Sequence, residues 1–119
     1  MRLRRLVVHG LVLNGIPRPW RVFCCDTFLQ RARGLAGSSA SERRLVWRLR
    51  PCSAVHTLFP GGPIDVVFCD PLGRVLHVVA PLPARRCAGK RGADSAWEFP
   101  AGVVGQLQLG CGDRLTLCE

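Results

Sequence analysis

The sequence predicts a mainly β (α+β) fold, a small antiparallel sheet or partly open barrel with two short helices. Three observations predict it. Apolar residues fall in short alternating runs; turn signals such as Asn14-Gly15, Asp70-Pro71-Leu72-Gly73 and Gly112-Asp113 separate those runs; and no long helical pattern alternates with the strands as βαβ units require. A chain of 119 residues can bury one real core, so residues 1–119 are expected to form a single domain that includes an N-terminal hairpin over 1–25. At 48% apolar and 21% charged residues, the composition excludes an intrinsically disordered chain. No run approaches the ~18 apolar residues of a membrane span, so a soluble, cytoplasmic protein is expected.

Residues 6–13 are apolar and β-branched, Asn14-Gly15 is a turn dipeptide, and residues 20–25 (WRVFCC) alternate again. That pattern is an N-terminal hairpin with a Pro-containing loop between its strands. Asp26 or Thr27 then stands where an N-cap belongs, and Phe28, Leu29, Ala32 and Leu35 recur at helical spacing until Gly34 and Gly37 stop them. Residues 37–44 (GSSASERR) are a polar loop, and Leu45, Trp47 and Leu49 alternate with Val46 and Arg48 as a half-buried strand. The clearest local signal is PIDVVFCDPLGRVLHVVAP, with strands over 64–69 and 74–79. Between them Asp70 accepts local backbone bonds, Pro71 pre-sets a negative φ, and Gly73 permits a left-handed turn position. Residues 81–92 form a basic connection, 96–99 a short strand, and 100–109 a short helix with Pro at its start, weakened by Gly102 and Gly105. Gly112-Asp113 turns into a last strand over 114–118.

Residues 1–50 hold 11 arginines against Asp26 and Glu42, whereas residues 51–119 hold 6 basic and 6 acidic side chains, so the whole net charge of +9 arises in the first half. Such a balance makes a nucleic-acid-associated protein one reading, since net charge alone draws polyanions. No basic stripe interleaved with aromatics is present, which argues against a single-strand platform. The two densest groups, Arg43, Arg44, Arg48 and Arg50, then Arg85, Arg86, Lys90 and Arg91, read as solvated loops or the outer face of a strand. The start imitates a secretory signal, but His9, Gly10 and Asn14 interrupt it and no small-residue cleavage site follows, so a first strand is the better reading. Seven cysteines are odd in number, include the adjacent Cys24 and Cys25, and lack any C-x-x-C spacing. Reduced thiols are therefore expected, without a disulfide framework, a zinc site or a cofactor.

Taken together, RARGLAG (31–37), RPCSAVHT (50–57), PIDVVFCDPLGRVL (63–76), WEFPAG (97–102) and GDRL (112–115) resemble, in this order, the uncharacterised bacterial family known as domain of unknown function number 192. The resemblance spans residues 20–118. It implies a compact β-rich fold with short helices and no established reaction. The chain departs from the family at 58–62, where Leu-Phe-Pro-Gly-Gly replaces an aromatic-Met-basic stretch, and near Gln108, where a glycine is delayed to Gly110.

The resemblance places importance on Arg33, His56, Thr57 and Asp65. His56 and Thr57 precede a Gly/Pro-rich turn and Asp65 follows it, so pairing of the flanking strands would gather imidazole, hydroxyl and carboxylate at one end of a sheet. In a ligand-binding or accessory module, Arg33 offers a bidentate fork to an anionic or carbonyl group, His56 and Thr57 bond polar ligand atoms, and Asp65 orients Arg33. The bland reading has Asp65 capping the turn or pairing with Arg33 to hold helix to sheet. An alternative is a hydrolase or transferase in which His56 is the acid or base and Asp65 orients it. A Cys52–His56 dyad is disfavoured, because four residues of extended chain span about 13 Å. Three metal ligands from Cys52, His56 and Asp65 mix soft and hard donors and lack a fourth. A partner, small molecule or protein, is expected but not named by any motif.

Overall fold

In the computed structural model, which describes residues 8–25, 45–57 and 63–118, nine strands and one helical turn follow in chain order. They are β1 (Val8–Leu13), β2 (Ile16–Cys25), β3 (Leu45–Leu49), β4 (Ala54–His56), β5 (Ile64–Cys69), β6 (Val75–Leu82), β7 (Cys87–Gly89), β8 (Ser95–Pro100), α1 (Val103–Gln106) and β9 (Leu115–Cys118). Seven of the strands form one sheet in the order β6-β5-β8-β3-β2-β1-β9, and β4 and β7 form a separate ribbon. The sheet is mixed, which corrects the antiparallel expectation: β2 and β3 run parallel, Arg21 opposite Leu45 through Cys25 opposite Leu49. A parallel pair needs a crossover of a dozen or more residues, and the chain between Cys25 and Leu45 is long enough to supply one. The helix expected at 27–35 and the loop at 37–44 lie outside the described residues.

The first hairpin is tighter than its prolines imply. Asn14 and Gly15 both take positive φ (52° and 80°), as the two-residue hairpin turn requires, so β2 begins at Ile16 rather than at Trp20. Pro17 and Pro19 are tolerated because β3 pairs only from Arg21 onward, leaving the proline-bearing half of β2 with β1 as its one described neighbour. Further on, β5 and β6 form the expected hairpin. Asp70 Oδ1 accepts from the N–H groups of Leu72 and Arg74 (2.9 Å each), and Gly73 N–H donates to the Asp70 carbonyl. The stretch expected as a basic connection holds the end of β6 and the whole of β7. Three-residue strands such as β4 and β7 are too short for alternation to reveal.

Among the described residues there is one short helix, and it is shorter than expected. Pro100 ends β8 instead of opening a helix, Gly102 sits at φ 91°, and only residues 103–106 turn. Along β5 and β8, side chains alternate between two apolar layers. Val67, Cys69, Trp97 and Phe99 join Leu11, Val22, Val46, Leu115 and the α1 valines on one face. Val66, Phe68 and Ala96 join Val55 of the ribbon on the other.

The sheet does not close, yet its edges touch. Arg74 and Arg114 form an antiparallel bridge, Val75 N–H donates to the Asp113 carbonyl, and Leu115 N–H donates to the Gly73 carbonyl. Asn14 ties the first hairpin to this joint: its Nδ2 donates to Asp113 Oδ1 at 3.0 Å, and its Oδ1 accepts from Arg114 N–H at 2.8 Å. The Asn14 bond, helped by the Gly110 N–H, holds the Asp113 carboxyl below its ordinary value. A carboxyl lowered in the folded state stabilises above its unfolded pKa and loses that stabilisation as pH falls through the folded one. Acid unfolding of Asn14→Ala is therefore expected to show a shallower fall in stability below the ordinary carboxylate range than the parent shows. Parallel curves from pH 6 to pH 2.5, roughly the span over which carboxylates titrate, would contradict this.

Candidate functional site

Of the residues singled out in the sequence, His56 and Thr57 lie together and apart from Asp65. Arg33 lies outside the described residues. Thr57 is buried and its bonds stay within the fold: Oγ1 donates to the Pro83 carbonyl at 2.6 Å and accepts from Arg86 N–H at 2.9 Å. Asp65 is 1% exposed, and its Oδ2 accepts from Gly102 N–H (2.9 Å) and Val104 N–H (3.1 Å). It supplies the cap that α1 lacks, since Gly102 has no side chain with which to make one. Asp65 falls with Val67 on the face that packs against α1, whereas the ribbon bearing His56 covers the opposite face through Val55. His56 itself is exposed, with Nδ1 2.9 Å from Cys87 Sγ. It sits with Thr57 and away from Asp65.

A cleft of about 260 Å³ opens instead where the sheet edges meet. Four segments build it: the end of β3 with Arg48 and Arg50, the β5–β6 turn, the start of β8 with Asp94, Ser95 and Trp97, and β9. Its volume lies just below the roughly 300 Å³ at which ligand sites usually begin. Arg50 Nε bonds Asp94 Oδ2 at 2.8 Å, with the two side chains 49% and 27% exposed. The backbone fixes this pair on both sides, because Arg50 N–H donates to Cys25, Asp94 N–H donates to Cys69, and the Asp94 carbonyl accepts from Cys52. Trp97, buried in the core, bonds Ser95 Oγ through Nε1 at 3.1 Å, which sets the position of that hydroxyl. Arg48, Arg50, Asp70 and Asp94 therefore line one cleft with Trp97, Leu115 and Leu117.

None of these residues was marked by spacing as a site. Arg48 and Arg50 belong to the densest arginine group, which the sequence assigns to a solvated surface, and Asp70 is fully accounted for as a turn residue. Only the contact between the two sheet edges brings 48–50, 70–73, 94–97 and 115–117 together. Among the described residues no cluster of three or more His, Cys, Asp or Glu side chains could hold a metal ion, and no disulfide joins the cysteines. No described helix is long and apolar enough to cross a membrane.

Comparison with known proteins finds similarity along nearly the whole chain. The sequence model of the DUF192 family, described as "Uncharacterized ACR", matches residues 12–117. A UPF0127 protein of Thermococcus kodakarensis is 30% identical over 100 residues, which cover 81% of this chain and 64% of that relative, just under two thirds of its length. A Sinorhizobium meliloti 1021 protein, described as a candidate transcription regulator, has a similar structure with a TM-score of 0.78 at 18% identity, covering 94% of this chain and 95% of that one. A protein of unknown function from Novosphingobium aromaticivorans gives a TM-score of 0.76 at 17% identity, over 93% of this chain and 84% of that one. At these identities the solved structures share the fold.

Proposed function

The chain belongs to the uncharacterised DUF192 family, and from the geometry of its cleft we propose that it is a binding module for a small zwitterion such as a free amino acid. The observation that carries this reading is the balance of charge beside an apolar wall. Two arginines and two aspartates line one cleft, so a ligand with either sign alone meets as much repulsion as attraction, while a carboxylate and an ammonium held a few ångströms apart find complementary partners. Arg50 spends Nε on Asp94 and keeps two Nη groups, which is the fork that a ligand carboxylate fits. Asp70 takes its two turn bonds through Oδ1, which leaves Oδ2 for an ammonium group. Leu117, only partly buried, offers contact to a short apolar side chain.

Sensing a small metabolite also accords with the regulator description attached to the Sinorhizobium protein. Of the residues marked in the sequence, Thr57 and Asp65 support the reading only by holding the scaffold rigid. The test is a thermal-shift titration of the parent and Arg50→Ala with free amino acids, matched monocarboxylates and matched amines. The parent is expected to be stabilised by amino acids above all, by about 2.7 kcal/mol at a hundredfold excess over Kd, and Arg50→Ala to lose the shift. A folded parent that responds to none of the three classes contradicts the proposal, as does an undiminished shift in Arg50→Ala.

A further inference from the structure

We propose that Cys87 and His56 form a surface thiol–imidazole pair that exchanges with small anionic disulfides. The two residues are direct cross-strand partners in the β4–β7 ribbon, and His56 Nδ1 stands 2.9 Å from Cys87 Sγ. Inward, the ribbon packs Val55 and Ala88 on the core, so strand alternation turns His56 and Cys87 outward, and both are exposed. Thr57 clamps the register beside them: its N–H donates to the Arg86 carbonyl, its hydroxyl accepts from Arg86 N–H, and its carbonyl accepts from Arg85 N–H. The distance is thus built into the ribbon rather than left to two mobile side chains.

A nucleophile within hydrogen-bond reach of a base is the arrangement that activates a thiol. As Cys87 Sγ attacks one sulfur of a disulfide R–S–S–R, its proton passes to Nδ1, a Cys87–S–S–R bond forms, the original S–S bond breaks and its other half leaves as the thiolate R–S⁻. That thiolate takes the proton from His56, so protein thiol plus disulfide gives mixed disulfide plus free thiol, with no outside oxidant. Arg85, Arg86, Lys90 and Arg91 flank Cys87 in sequence and are all exposed, which favours an incoming disulfide that carries carboxylates. This pair lies on a different sheet from the amino acid cleft and does not depend on it.

Cys111 supplies the internal comparison, an exposed thiol that donates to the Leu76 carbonyl rather than standing beside an imidazole. Buried Cys69 supplies the silent one, since burial, with the Asp70 charge adding to it, pushes its thiol up to about 12. The native protein is treated with the dianionic dithiobis-nitrobenzoate and, separately, with the dicationic cystamine, and adduct formation at each cysteine is followed by peptide mass. Cys87 is expected to react with dithiobis-nitrobenzoate on the order of tenfold faster than Cys111, and His56→Ala, checked for folding by circular dichroism, to slow Cys87 severalfold while leaving Cys111 unchanged. The preference for the anionic over the cationic reagent is expected to be larger at Cys87 than at Cys111. Equal rates at the two cysteines in the parent overturn the pair, a comparison that needs no variant. An unchanged Cys87 rate in folded His56→Ala overturns the role of the imidazole, and an equal reagent preference at both cysteines overturns the anionic choice.

Discussion

Asp65→Ala is expected to lower the unfolding free energy by about 2–4 kcal/mol, one of the two largest effects anticipated for a single substitution in this protein. The carboxylate is buried at the centre of the fold and its Oδ2 accepts two backbone N–H groups, those of Gly102 and Val104. Alanine leaves both donors without their acceptor, the Val104 N–H in a buried place, where an unsatisfied group costs on the order of 1–3 kcal/mol, and the Gly102 N–H in a more open one. The local consequence follows from the length of α1. A single turn has no propensity to fall back on, so the loss of its cap releases Val103, Val104 and Leu107 from the core. Asp65→Asn keeps one acceptor oxygen and is expected to lose about half as much. Urea unfolding checks both, and an Asp65→Ala midpoint within about 0.5 kcal/mol of the parent would contradict the role assigned to the carboxylate.

Gly73→Ala is expected to be as damaging, at about 3 kcal/mol, through geometry alone. Gly73 has φ 86°, and a Cβ added there would stand 2.1 Å from the Leu115 carbonyl oxygen. Neither atom has a soft escape, because the same residues exchange the Leu115 N–H to Gly73 carbonyl bond that joins the two sheet edges. Other positive-φ glycines lack this constraint: Gly92 and Gly112 have open space where a Cβ would go, so alanine there meets backbone strain without the clash. At about 4 °C per kcal/mol for a domain of this size, Gly73→Ala should lower Tm by roughly 12 °C and Gly92→Ala by clearly less. Equal losses would mean that the edge joint is not under the packing described.

Much of the sheet could be read from local pattern. The β5–β6 hairpin announces itself twice, through continuous apolar strands and through the Asp-Pro-Leu-Gly chemistry at 70–73, and the Asn14-Gly15 turn is similarly self-contained. What escaped reading depends on partners distant in sequence. The parallel alignment of β2 with β3 joins strands nineteen residues apart and no local turn signal specifies it, and the β4–β7 ribbon joins three-residue segments about thirty positions apart. Asp65 shows the same limit in one residue. Its position after a turn invites a local cap, or a pairing with Arg33, while the donors it serves lie 37 and 39 residues onward. For Cys87, reading along the chain pairs a histidine with the nearest thiol, Cys52, whereas the strand register delivers a cysteine 31 residues away. The cleft was the least legible of all, because each of its four segments has a complete structural explanation alone.

Recognition of a small zwitterion where the sheet edges meet is tested most directly by titrating the amide spectrum of isotopically labelled protein with a free amino acid. The amides of Gly73, Ser95 and Thr116 are expected to shift together in a saturable way, while those of Val55 and Ala88 in the distant ribbon stay still. Saturable shifts confined to the ribbon, or none anywhere up to about 10 mM ligand, well above a Kd of 1 mM for a weak site, would contradict the account.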